Sequence, residues 1–137
     1  MILAMRTDRP EAELYLIEKN QIVAHETWQA HRELADTILQ KINTILESKN
    51  CKLADISGLI VFTGEGSFTG LRIGTTVANA IAYSNNVPIV VSSGSDWIDT
   101  GLKEIKEAKP GKLAVPIYHS EPNITQSKKL SIEERPK

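Results

Sequence analysis

Gly58-Leu59-Ile60-Val61-Phe62-Thr63-Gly64-Glu65-Gly66-Ser67-Phe68-Thr69-Gly70-Leu71-Arg72-Ile73-Gly74 is the stretch on which the fold turns. Its first six residues are an apolar run that reads as a buried strand. Gly64 and Gly66 let the chain turn sharply off the strand end, through geometry that a Cβ would obstruct. Ser67 is placed to cap a helix, its hydroxyl accepting from an orphan N–H of the first turn. Thr75 to Tyr83 continue that helix. Within it Gly70, Gly74, Ala78 and Ala82 recur every four residues and form one stripe of small side chains. A helical glycine costs roughly 1 kcal/mol relative to alanine. Such a stripe predicts a packing reason: another helix or strand comes close there.

Working outward, Ile2 to Met5, Glu13 to Glu18 and Gln21 to Thr27 read as three strands. Lys19-Asn20 suits a tight hairpin turn between the last two, since asparagine tolerates the left-handed backbone. A helix over about 32–48, a strand at 58–63, a helix over 67–84, a strand at 88–91 and a helix over 95–107 follow. Three antiparallel strands and then αβαβα predict an α/β layered domain with helices on a mixed five-stranded sheet. Residues 1–119 are expected to form one domain with a closing strand. Residues 120–137 are polar, carry proline and lack apolar periodicity, and are expected to be an extended or disordered tail.

The first helix has two apolar lines. Leu34, Ile38, Ile42 and Ile45 make one; Ala35, Leu39 and Leu46 make its neighbour. The combined arc is wider than covering one sheet face requires. One reading is a well-buried helix. The other packs one edge on the sheet and offers the other to a second protein.

Composition sets limits. A chain of 137 residues, 41% hydrophobic and 24% charged, is one ordinary globular domain. A net charge of −1 gives no general attraction to nucleic acid, although Lys128, Lys129, Arg135 and Lys137 could form a local patch. The single cysteine, Cys51, excludes an internal disulfide and a cysteine-based metal cluster. No apolar stretch has the length a membrane span needs, and Met1 leads straight into a strand, so the cytoplasm is the expected location. No Gly-Lys-Ser/Thr follows the glycine turn, and Glu65 would set a negative charge where a phosphate would lie. His25, His31 and His119 are far apart, which predicts no metal site. Ser67 and Ser92 have no recognisable base beside them, so no catalytic constellation is expected. Trp28 and Trp97 read as core or interface residues rather than base-stacking platforms.

Residues Gly64 to Gly74 resemble the Gly-Pro-Gly-Ser-Phe-Thr-Gly-Leu-Arg-Ile-Gly signature of the TsaB (YeaZ) family, which serves tRNA N6-threonylcarbamoyladenosine biosynthesis. Glu65 stands where the family has proline. Met1 to Ala4, His31 to Leu46, Pro88 to Ser93 and Pro116-Ile117-Tyr118 resemble other parts of the family in order. The resemblance implies a ribonuclease-H-like, actin-like ATPase half-domain. It also implies a chain truncated to the N-terminal subdomain plus the C-terminal tail, with Ala108-Lys109-Pro110-Gly111 where a second subdomain would stand. Met5-Arg6-Thr7-Asp8 replaces the Ile-Asp-Thr with which the family's first strand ends; related ATPases use an acidic residue there, and Arg6 cannot serve.

The implied role is a non-catalytic subunit, without cofactor, that binds and activates a TsaD-type transferase. A TsaE-type ATPase is a further partner, tRNA is met only indirectly, and the chain alone is expected to be a homodimer. In the family the first two helices form the contact. That implies an interface of Leu34, Ile38, Ile42, Ile45, Gly70, Gly74 and Ala78, beside a signature turn of Gly64, Gly66 and Ser67. Two rivals stand beside it: a small actin-like nucleotide-binding or peptidase-like enzyme, and a homodimeric structural protein without the pathway role.

Overall fold

A computed structural model describes residues 1–65 and 68–114. Strands β1 (Ile2–Arg6), β2 (Glu11–Glu18) and β3 (Gln21–Gln29) are followed by α1 (Leu34–Glu47), β4 (Gly58–Phe62), α2 (Phe68–Asn85), β5 (Ile89–Ser92) and α3 (Trp97–Ile105). This is the mixed half-domain order expected from the sequence. The closing strand and the tail expected beyond residue 114 lie outside the described residues.

The sheet runs β3-β2-β1-β4-β5. β1 pairs antiparallel with β2 and β2 with β3, while β1–β4 and β4–β5 are parallel. The β2–β3 turn is made by Lys19 and Asn20, both left-handed at φ 53° and 63°, the backbone that matches strand twist in a two-residue hairpin. β4 is buried at every position, as a parallel strand covered on both faces must be. That explains why its sequence is a run rather than an alternation.

Helices cover both faces. On one, Leu3, Met5, Leu14, Leu16, Leu59 and Val61 meet α1 and α2. On the other, Ala4, Ile17, Ile60 and Phe62 meet α3 through Trp97, Leu102 and Ile105. Among the described residues no helix is long and apolar enough to cross a membrane.

Candidate functional site

The signature turn leaves β4 where Thr63 N–H donates to the Ser92 carbonyl at 2.8 Å. Gly64 is half-buried, and a Cβ there would stand 3.1 Å from two ring carbons of Phe62. Absence of a side chain at 64 therefore lets the turn fold back over that ring. Gly66 and Ser67, the remaining turn residues, lie outside the described residues.

The small-residue stripe faces inward. Gly70, Gly74, Ala78 and Ala82 are all buried. A Cβ on Gly74 would lie 2.3 Å from Thr7 Oγ1, and that hydroxyl donates to the Gly70 carbonyl at 2.8 Å. The backbone that comes close is thus the end of this domain's own β1. Placing Gly70, Gly74 and Ala78 on an interface is corrected accordingly: the stripe seats α2 on its sheet.

The same correction applies to α1. Leu34, Ile38, Ile42 and Ile45 are at most 5% exposed and belong to the core shared with α2. Trp28 Nε1 donates to Thr37 Oγ1 at 3.0 Å, and Lys41 Nζ meets Glu26 Oε2 at 3.2 Å. These two tethers to β3 set the rotation of α1. The larger apolar line then turns to the sheet, where burying it stabilises most. The neighbouring line is split: Leu46 is buried in the same core at 1% exposed, while Ala35 is exposed and Leu39 is 55% exposed.

What remains open on this face is a groove of about 470 Å³ between the helices, lined by Ala35, Thr69, Arg72, Ile73, Thr76 and Val77. Its lining is mostly apolar, and among the described residues Arg72 is its one charged group. Sequence reading missed Ile73, Thr76 and Val77. Their signal was the flank of α2 beside the stripe, which shows only once the stripe is known to point inward.

The end of β1 carries the chemistry a nucleotide reading would need. Asp8 is 3% exposed, and Arg6 binds it through Nε at 2.8 Å and Nη2 at 3.3 Å. The Arg6 guanidinium also lies 3.8 Å above the Phe62 ring, a cation–π contact. Glu13 is likewise held by Arg9 and takes the Tyr15 hydroxyl at 2.6 Å. Burial, then the hydrogen bond and negative charge of Glu13, push the Tyr15 phenol up to about 12. Both carboxylates at this strand end are therefore neutralised by arginines of the same chain.

A cavity of about 690 Å³ opens nearby, with Thr7, Arg9, His31 and Arg32 on its walls beside apolar Ala30, Leu34 and Ile73. His31 adopts a left-handed φ of 47° there, while His25 stacks on Tyr15 at 5.7 Å on the hairpin. His119 lies outside the described residues. Among the described residues no three His, Cys, Asp or Glu side chains come together as metal ligands would.

Residues 21–118 match the family model described as TsaD: tRNA N6-adenosine threonylcarbamoyltransferase. Among curated proteins the chain is similar to the tRNA threonylcarbamoyladenosine biosynthesis protein TsaB of Bacillus subtilis, 24% identical over 124 residues and covering 85% of this chain and 54% of that one. It is 25% identical to the Haemophilus influenzae protein of the same name over 125 residues, covering 91% and 52%. With Escherichia coli TsaB the figure is 37% over 59 residues, covering 43% and 26%. The chain spans about half the length of the first two relatives. Among solved structures, YeaZ from Pseudomonas aeruginosa superposes with a TM-score of 0.62 at 22% identity, over 67% of this chain and 43% of that one. That likeness shows the fold, an actin-like, ribonuclease-H-like half-domain.

Proposed function

Because the chain belongs to the family described as TsaD: tRNA N6-adenosine threonylcarbamoyltransferase and is TsaB-like within it, we propose that it is a non-catalytic subunit for a TsaD-type transferase in tRNA threonylcarbamoyladenosine biosynthesis. The observation that carries this reading is the open, largely apolar α1–α2 groove, with Leu39 exposed one turn along α1 from its wall residue Ala35. An apolar helix of the transferase laid across Ala35, Ile73 and Val77 would bury surface that water now meets. Such a contact would hold the transferase in a competent conformation, while nucleotide, metal and tRNA chemistry stay on other subunits. The ion-paired carboxylates at the β1 end support that division, because neither Asp8 nor Glu13 is free to hold a metal.

The test is reconstitution with the TsaD homologue of the same organism. Added chain should form a stoichiometric complex and raise threonylcarbamoyl transfer to tRNA. No complex at tens of micromolar, roughly the range where a weak contact still assembles, would overturn the reading. Leu39 also favours a second occupant of this face, another copy of the chain, which sedimentation of the isolated protein would reveal. Calorimetric titration with Mg-ATP addresses the enzyme alternative: a tight stoichiometric site would favour it.

A further inference from the structure

Along α2 the walls of the α1–α2 groove fall into two lines at helical spacing. Ile73 and Val77 make one, and with Ala35 of α1 they form an apolar strip. Thr69, Arg72 and Thr76 make the other, a guanidinium between two hydroxyls. Arg72 is exposed, and among the described residues it has no ion-pair partner. The arginines at the end of β1 differ: Arg6 is held by Asp8 and Arg9 by Glu13.

No carboxylate is among the described residues that line this groove. Glu33 and Asp36, the acids nearest Ala35 in sequence, are both exposed. Glu33 is instead on the wall of the larger cavity. Asp36 follows Ala35 by one residue, about 100° round the helix, and is not on the lining. The groove therefore offers a cation that its own walls do not answer.

A helix laid in the groove takes water away from Arg72. A guanidinium covered without a counter-charge loses its hydration and gains nothing in return. One met by a carboxylate gains a forked, charge-assisted pair. A wholly apolar contact face is disfavoured for that reason. So is a second copy of the chain, because groove set on groove brings Arg72 a lining that holds no carboxylate.

We propose that the groove takes an amphipathic helix of a different protein, with small or apolar residues against Ala35, Ile73 and Val77 and one carboxylate against Arg72. Arg72 thereby selects that helix over a second copy of this chain. The inference rests on the partner reading above and adds what the partner must carry. Apolar contact supplies the buried area, and the single charge supplies the register. A slip of one helical turn, about 5.4 Å, would carry the acid out of reach.

Binding of Arg72 variants to the TsaD homologue of the same organism tests it. Arg72→Met keeps an unbranched side chain, removes the charge and, at an exposed position, should leave thermal unfolding unchanged. At low salt it should bind the transferase at least about tenfold more weakly than the wild-type chain. The wild-type complex should weaken as salt rises, and the variant complex should depend on salt less steeply. Arg72→Glu should bind more weakly still, and one acid-to-lysine change on the contacting helix of the transferase should restore it. Sedimentation of the isolated chains should show the reverse order, with Arg72→Met self-associating more tightly than wild type. A wild-type chain that forms no complex fails the partner reading itself. A wild-type complex that Arg72→Met matches in affinity and salt response overturns this inference alone. So does weaker self-association of Arg72→Met, since a second copy would then be supplying the carboxylate.

Discussion

Both faces of the sheet are closed by a helix that comes in on a glycine, and the two approaches differ in kind. On the α2 side, a Cβ at Gly74 would meet Thr7 Oγ1 at 2.3 Å. On the α3 side, a Cβ at Gly101 would meet Ile60 Cγ2 at 2.5 Å. Thr7 cannot give way cheaply, because its hydroxyl is bonded to the Gly70 carbonyl of the same helix. α2 also packs against both the sheet and its neighbour α1. Among the described residues the nine-residue α3 is the one helix on its face, with room to ride outward by a few tenths of an ångström. The lesson is that one close approach is locked by a polar tether and the other is cushioned by apolar side chains.

The largest expected effect is at the tether. Gly74→Ala should destabilise the domain by about 2 kcal/mol, the overpacking cost less the helix-propensity gain. Denaturant unfolding measures it. Thr7→Ala in the same chain should recover part of the loss, giving a coupling of about 1 kcal/mol between the two sites. Additive losses would break the claim that the hydroxyl is what Gly74 makes room for.

Next in size is a change on the outer face of the same helix pair. Ala35→Arg sets a bulky charge on the exposed wall of the groove. Native stability should hold within about 0.5 kcal/mol, as exposed substitutions usually do. Affinity for the transferase should fall at least about tenfold, or 1.4 kcal/mol. A loss of fold would show that this wall also belongs to the core.

Gly101→Ala comes third. The added methyl presses on fully buried Ile60, yet α3 can shift, and alanine suits a helix better than glycine does. A net cost of about 1 kcal/mol follows. If it equalled the Gly74→Ala cost, the contrast between locked and cushioned contacts would fail.

How much of this could be read in advance follows the same division. The succession of strands and helices, the Lys19-Asn20 turn and the run of β4 were legible because each is local: a period, a turn residue, a buried strand. The stripe was legible as a close approach, but what approached it was not, since Thr7 lies 67 positions from Gly74 only along the chain. The rotation of α1 was hidden too. Leu34–Ile38 and Ala35–Leu39 have equal spacing, and the bonds from Trp28 and Glu26 that choose between them are tertiary. Gly101 escaped notice because a lone glycine in a short amphipathic helix forms no repeat. The groove walls Ile73 and Val77 were in plain view as helical residues and acquired meaning only from the stripe's direction.

The smallest effect belongs to Leu39, the exposed large apolar side chain on α1, at 55%. It touches little within the domain, so Leu39→Ser should leave unfolding unchanged to within about 0.5 kcal/mol. Water should no longer be forced to meet that side chain, and any self-association through this face should weaken by a few-fold. Sedimentation of both proteins across a concentration series reads this directly. Equal association would place the contact elsewhere and leave α1 as a wall of the core alone. A measurable fall in stability would mean that the Ala35–Leu39 part of the second apolar line is packed after all. In that case the outer face would resemble the inner one, and the difference between the two sides of the helix pair would vanish.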